Sequence, residues 1–287
     1  MRKIKNIYPT ILNNMANGIK MFAVLIDPGK QNVKELLDVV QTCNNAAVDF
    51  FFVGGSIITT GDFEKTTRLV KENTTKPVII FPGNANQVSA YADALLFLSL
   101  ISGRNPEFLI GHQVVAAPHI KKTNLEVIPT GYMLVDCGTT TTAIYVSNTN
   151  PLPHNNATMA ANTALAGEYL GLNLTYIDGG SGAKKCIATD MIAATKTHKK
   201  GPLIIGGGIR TVQAAQEIYK AGADIIVIGN GAEENRNLIT EIAEMKQRIN
   251  SCQAYIQICS RDMVNGTASF GDIAMLKVHC SQTMEFC

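Results

Sequence analysis

The sequence contains no tryptophan, few aromatic residues (6%) and little charge (17% Asp, Glu, Lys and Arg). A net charge of +2, with no basic stripe and no basic segment interleaved with aromatics, argues against nucleic acid as a partner. No apolar run approaches the length of a membrane-spanning helix; the longest, "ALLFLSLIS" at 94–102, is far too short. The basic N-terminus "MRKIKNIYPTILNN" has no apolar core behind it and does not read as a secretory signal, so a cytoplasmic location is expected. Seven cysteines are present without a single C-x-x-C pair, which removes the usual zinc and dithiol motifs. Reduced, structural thiols are the expectation.

What is abundant is apolar: 46% of 287 residues, enough for a large core and too much for a disordered chain. Eight short runs read as strands: 21–27, 49–55, 77–83, 94–100, 131–137, 174–180, 202–208 and 224–230. They are apolar throughout rather than alternating, as in parallel strands covered on both faces. Helical patterns separate most of them, including 33–43, 157–171 and 212–223, the last two stopping at glycine. Between the third and fourth runs there is room only for a short helix, 86–92. The order predicts a single (β/α)8 TIM barrel, modified by a short or irregular segment between strands three and four, with a doubly wound open sheet as the runner-up. The barrel is assigned to residues 1–248. Residues 249–287, which show no clean period and hold four of the cysteines, are assigned to a C-terminal extension of unknown role.

Most of these runs end in Asp, Gly, Ser or Asn, and in a barrel such ends share the rim where active sites are built. "LIIGGGIR" and "VIGNG" follow the seventh and eighth strands, where glycines let backbone approach an anion and helix starts point N–H groups at it. "GGSGAKK" lacks the P-loop spacing, and "GGGIR" lacks the third glycine of a dinucleotide fingerprint. Across the rim, Asp27 in "LIDPGK" and Ser56 in "FVGGS" offer hard oxygen ligands suited to Mg²⁺; the alternative for Asp27 is to cap the next helix. Lys30 reads as a solvent-facing lysine or a phosphate neighbour.

In this order and spacing, "LIDPGK", "FVGGS", "IPTGY", "YIDGGSGA", "IIGGGIR" and "VIGNG" resemble the geranylgeranylglyceryl phosphate synthases, prenyltransferases related to the bacterial heptaprenylglyceryl phosphate synthases. The resemblance runs from about residue 8 to about 248. It implies Mg²⁺-dependent transfer of a prenyl chain from geranylgeranyl diphosphate, or another polyprenyl diphosphate, to the 3-hydroxyl of sn-glycerol 1-phosphate. It implies metal ligands Asp27 and Ser56. It implies a glycerol phosphate site made of Tyr176, Ile177, Asp178, Gly179, Gly180, Ser181, Gly182, Gly207, Gly208, Gly229 and Asn230, with Asp178 and Tyr176 closest to the chemistry. A homo-oligomer, dimer or hexamer, and peripheral contact with membrane lipid are implied as well. Two positions depart from the common pattern. Many relatives carry glutamate where Asp178 stands, and "DPD" where this chain has "DPG" up to Gly29.

On this reading Asp178 orients the glycerol hydroxyls and takes a proton as oxygen attacks, while the glycine loops hold the phosphate. Tyr132 orients the phosphate, lines the chain channel or packs in the core. The apolar side chains of 93–120 are the best supply for a prenyl groove, and His112 and His119 within it read as surface or packing residues. Two other readings remain open: a phosphosugar isomerase or lyase on the same barrel, and a phosphate-ligand binding protein.

Overall fold

The computed structural model describes residues 6–264 except 30–31, 59–61, 230 and 233–234. Eight parallel strands close into a barrel in sequence order: β1 (Met21–Ile26), β2 (Phe50–Val53), β3 (Val78–Ile80), β4 (Ala94–Leu100), β5 (Glu126–Leu134), β6 (Leu174–Asp178), β7 (Leu203–Gly206) and β8 (Ile225–Ile228). β8 pairs back onto β1 in the register Ala23 with Val227, so no edge is left open. The open-sheet alternative is thereby excluded.

The two-residue period of a strand sorts the side chains into two cores. Ala23, Phe52, Ile79, Leu96, Tyr176 and Val227 fill the barrel interior. Phe22, Val24, Phe51, Ile80, Ile177 and Ile226 point outward and pack beneath the helices. Both faces are dry, which is why the runs are apolar throughout.

The outer helices are α2 (Val33–Asn45), α3 (Phe63–Glu72), α4 (His112–Ile120), α5 (Thr142–Ser147), α6 (Ala157–Tyr169), α7 (Thr189–His198), α8 (Val212–Ala221) and α9 (Asn237–Val264). An extra first helix, α1 (Ile7–Ala16), closes the base of the barrel. Its Ile7 and Ile11 are buried with the interior residues, and Glu126 at the start of β5 accepts the backbone N–H groups of Ile7 and Tyr8 at 2.6 and 2.8 Å. α9 runs across residue 248, and beyond it the Gln257 side chain donates to the Asn17 carbonyl at 2.7 Å.

Two elements differ from the sequence reading. β5 runs from Glu126 to Leu134, so it begins five residues before Gly131 and includes "IPTG". Glu126 N–H donates to Asp93 of the β4 side and Val135 N–H to Asp178 on the β6 side. By alternation, Pro129 would donate toward β6, whose pairing starts only opposite Thr130. The missing N–H of Pro129 therefore interrupts no ladder bond, the condition under which a strand tolerates proline. The second difference lies between β3 and β4. Residues 81–93 form turns, without the short helix expected at 86–92.

Candidate active site

Continuing the inward alternation of β6 past Leu174 and Tyr176 brings Asp178 to the C-terminal mouth of the barrel. The same count on β1, from Met21 through Ala23 and Leu25, brings Asp27 there too. Both carboxylates line one cavity of about 310 Å³. Its floor and walls include Leu25, Leu96, Leu98, Leu100 and Phe81, and one side is formed by Phe108, His112, Gln113, Ala116 and Ile120. That side comes from a π-helical turn, Glu107–Gly111, running into α4, so part of the 93–120 segment does border the cavity. His112 is a wall residue stacked edge-on against Phe108, with ring centroids 4.7 Å apart.

Asp178 is 7% exposed and held on both oxygens. Oδ2 accepts the Tyr132 hydroxyl at 2.7 Å and Oδ1 accepts the Gly180 N–H at 2.7 Å. Burial raises its pKa above the ordinary carboxylate value, and the two hydrogen bonds only partly oppose this. Tyr132 is raised well above the usual phenol value, first by burial and then by the adjacent Asp178, so it stays a donor. Tyr132 thus belongs to the carboxylate. Tyr176 lies lower in the barrel, 2% exposed, stacked on Phe81 with centroids 4.9 Å apart. Its hydroxyl fills the space where a side chain at Gly206 would begin, 2.4 Å from that Cβ position.

On the opposite wall, Oδ1 of Asp27 accepts the Gly29 N–H at 3.1 Å. α2 is capped by Asn32 in a reciprocal pairing with Glu35, so Asp27 does not serve as that helix's cap. Gly55 and Ser56 line the cavity beside it, and a Cβ at Gly55 would stand 3.0 Å from Asp27 Oδ1. A side chain at Gly55 would therefore press on that oxygen. One carboxylate and one hydroxyl beside open space fit Mg²⁺, which keeps waters and takes substrate phosphate oxygens, and not a cation that needs a full protein cage. Among the described residues no group of three or more His, Cys, Asp or Glu could hold a metal alone.

The glycine loops divide the remaining tasks. Gly180, Ser181 and Gly229 border the cavity. Gly207, at φ +85°, backs directly onto the β6 loop, where a Cβ would lie 2.6 Å from the Gly179 nitrogen. Gly208 meets the Lys185 carbonyl in the same way, and Arg210 donates to the Ala183 carbonyl at 2.7 Å. The loops after β6 and β7 are therefore packed backbone to backbone. Gly179 rests on Cys137, Gly182 stands exposed, and the Ile177 side chain is buried in the outer core, leaving only its backbone for the mouth. Asn230 and Lys30 lie outside the described residues. The feature that sequence reasoning missed is Gln87, a buried residue of the turn segment that reaches into this rim.

Among the described residues no lysine lines the cavity. No helix among them is long and apolar enough to cross a membrane.

Residues 16–246 match the PcrB family. A geranylgeranylglyceryl phosphate synthase of Chitinophaga pinensis is 48% identical over 238 residues, covering 83% of this chain and 94% of its own. The one from Methanosphaera stadtmanae is 40% identical over 234 residues, covering 82% and 96%. Among solved structures, (S)-3-O-geranylgeranylglyceryl phosphate synthase from Thermoplasma acidophilum, in complex with its substrate sn-glycerol-1-phosphate, superposes with a TM-score of 0.78 at 34% identity, covering 83% of this chain and 97% of that one. Matched over most of its length in both sequence and fold, the chain belongs to the PcrB family.

Proposed function

We propose that this chain is a Mg²⁺-dependent geranylgeranylglyceryl phosphate synthase, joining the prenyl group of geranylgeranyl diphosphate to the 3-hydroxyl of sn-glycerol 1-phosphate. The observation that carries the reading is the shared cavity: Asp27 and Asp178 both line one mouth whose other walls are largely apolar. The relatives' activity and the glycerol phosphate bound to the Thermoplasma acidophilum enzyme support it.

In this reading the glycine loops after β6, β7 and β8 receive the phosphate of glycerol 1-phosphate, using backbone N–H groups and the start of α8. Asp178 then meets the glycerol end. Its carboxylate orients the 3-hydroxyl and accepts its proton while the oxygen bonds to C1 of the prenyl chain and the C1–diphosphate bond breaks. The raised pKa makes it a stronger base than a solvated aspartate. The Tyr132 and Gly180 donors partly oppose that rise by favouring the ionised form. Asp27 and Ser56 would hold Mg²⁺, whose charge stabilises the departing diphosphate. The apolar wall from Leu96 to Ile120 accepts the chain and keeps water from the allylic carbon as positive charge develops.

The test is incubation with labelled sn-glycerol 1-phosphate and farnesyl, geranylgeranyl or longer prenyl diphosphates. Geranylgeranylglyceryl phosphate and diphosphate are expected in equal amounts, dependent on Mg²⁺. No ether product with any chain length at saturating Mg²⁺ would overturn the reading.

A further inference from the structure

Gln87 sits in the helix-free connection between β3 and β4, 2% exposed yet bordering the cavity. Local turns aim it inward: its own N–H donates to the Asn84 carbonyl at 3.3 Å and Val88 N–H to Asn86 at 2.9 Å. Its side-chain amide then spans two loops. Oε1 accepts Gly83 N–H at 3.0 Å and Gly55 N–H at 3.4 Å, while Nε2 donates to the Gly55 carbonyl at 2.8 Å. One amide therefore addresses both polar groups of Gly55, as a paired strand would. The loops it joins approach each other backbone to backbone. A Cβ at Gly83 would lie 2.1 Å from the Gly55 oxygen, and one at Gly54 would lie 1.8 Å from the Phe81 oxygen.

The consequence reaches the metal side of the rim. Gly55 precedes Ser56, and its Cα faces the Asp27 carboxylate. Whatever orients the Gly55 peptide also sets where the Ser56 hydroxyl stands relative to Asp27. We propose that Gln87 is a positioning residue for the diphosphate half of the site, fixing the Asp27–Ser56 pair through Gly55. A full helix after β3 would bury this position under its own backbone; the turn segment instead delivers a neutral amide to the rim. Neutrality matters. A carboxylate there would repel the diphosphate, and an ammonium ion would compete with the metal. The inference rests on the functional reading above, in that the metal is taken to sit at Asp27.

The experiment compares wild type with Gln87→Met, which keeps the volume and loses the amide, and Gln87→Asn, which keeps the amide on a shorter arm. Binding of Mg²⁺ with inorganic pyrophosphate is followed by calorimetry, transfer kinetics are measured, and the Gly55 and Gly83 amide resonances are recorded in ligand-free protein. For Gln87→Met the expected result is about a tenfold weaker Mg²⁺–pyrophosphate complex, equivalent to about 1.4 kcal/mol, and a matching rise in the Mg²⁺ needed for half-maximal rate. KM for glycerol 1-phosphate should change less than about twofold, since that substrate is held across the rim by other loops. Gln87→Asn should fall between. Shifted Gly55 and Gly83 resonances should accompany both. Unchanged Mg²⁺–pyrophosphate binding, or losses shared equally by both substrates alongside a lowered melting temperature, would overturn the proposal. If Gln87→Met does not fold, Gln87→Asn decides alone on the same readouts. A wild-type protein that binds no Mg²⁺–pyrophosphate would instead defeat the metal assignment beneath it.

Discussion

The Tyr132 hydroxyl and the Asp178 carboxylate form a 2.7 Å pair at the ends of neighbouring strands, in register opposite Tyr176 and Leu134. Neither group has a cation in the pair. Tyr132 supplies a proton that stabilises the ionised aspartate without neutralising it, which leaves the carboxylate free to act as a base.

Removing that hydroxyl should therefore move a pKa. The hydrogen bond from Tyr132 lowers the pKa of Asp178 against the upward pull of burial, so Tyr132→Phe should raise it further. If the aspartate works ionised, the acidic limb of the kcat–pH profile shifts to higher pH. A hydrogen bond to a charged group is worth about 1.5–3 kcal/mol, so a shift of about one unit or more is expected, with the rate largely recovered on the alkaline side. Parallel profiles for the two proteins would mean that Asp178 does not titrate in catalysis.

Asp27→Ala should separate the two halves of the mouth. Loss of the carboxylate removes the proposed metal anchor, and transfer should fall by about a hundredfold or more, the scale of losing an electrostatic stabiliser of the leaving group. Glycerol 1-phosphate, held by loops on the far side, should still bind within about twofold by calorimetry. Full activity in this variant at saturating Mg²⁺ would refute the assignment.

The barrel, its strand order and the Asp27 and Asp178 positions were legible because each rests on local pattern: apolar runs, helical spacing and a polar residue at a strand end. Two-residue counting along β5 would also have turned Tyr132 inward with Ile128 and Leu134. What it could not supply was the partner, since the Tyr132–Asp178 bond depends on the β5–β6 register, set by pairing between distant segments. Whether Pro129 belongs to the strand is likewise not a local matter. Its cost depends on which side its missing N–H faces, and that is a property of the neighbour. Gln87 carried no signal at all: a lone glutamine among turn residues becomes informative only when three backbone groups from two loops are found around it. Ile177 was readable as buried, but the motif grouped it with residues whose side chains or backbone reach the mouth.

Two glycines at nearly the same backbone angle offer a controlled comparison. Gly182 has φ +81° with nothing within 4 Å of where a Cβ would stand, whereas Gly207 at φ +85° would press one into the Gly179 backbone. Gly182→Ala should cost only the left-handed strain, about 1–2 kcal/mol. Gly207→Ala adds a backbone clash that must part the loops after β6 and β7. It should lower the denaturation midpoint further and raise KM for glycerol 1-phosphate at least about tenfold. Equal effects from the two substitutions would show that the loop contact has no part in phosphate binding.

At the opposite end of the barrel, Lys199 should govern an alkaline rise in stability. Its side chain is buried just before β7, with Nζ donating to the Pro202 carbonyl at 3.1 Å. Burial, only partly opposed by Glu168, pushes its pKa down to about 8. An unfolded lysine titrates near ~10.4. Between those values the unfolded chain binds more protons than the native one, so stability increases with pH across that window. Below it the native state carries a penalty of about 3 kcal/mol at most. Lys199→Met removes the buried charge and also the bond to Pro202, which is worth about 1 kcal/mol. The variant should thus be more stable than wild type by about 1–2 kcal/mol at pH 7, and the advantage should vanish toward pH 10 as wild-type Lys199 loses its proton. Urea midpoints at the two pH values decide the matter: an offset independent of pH would mean that Lys199 is not the titrating group.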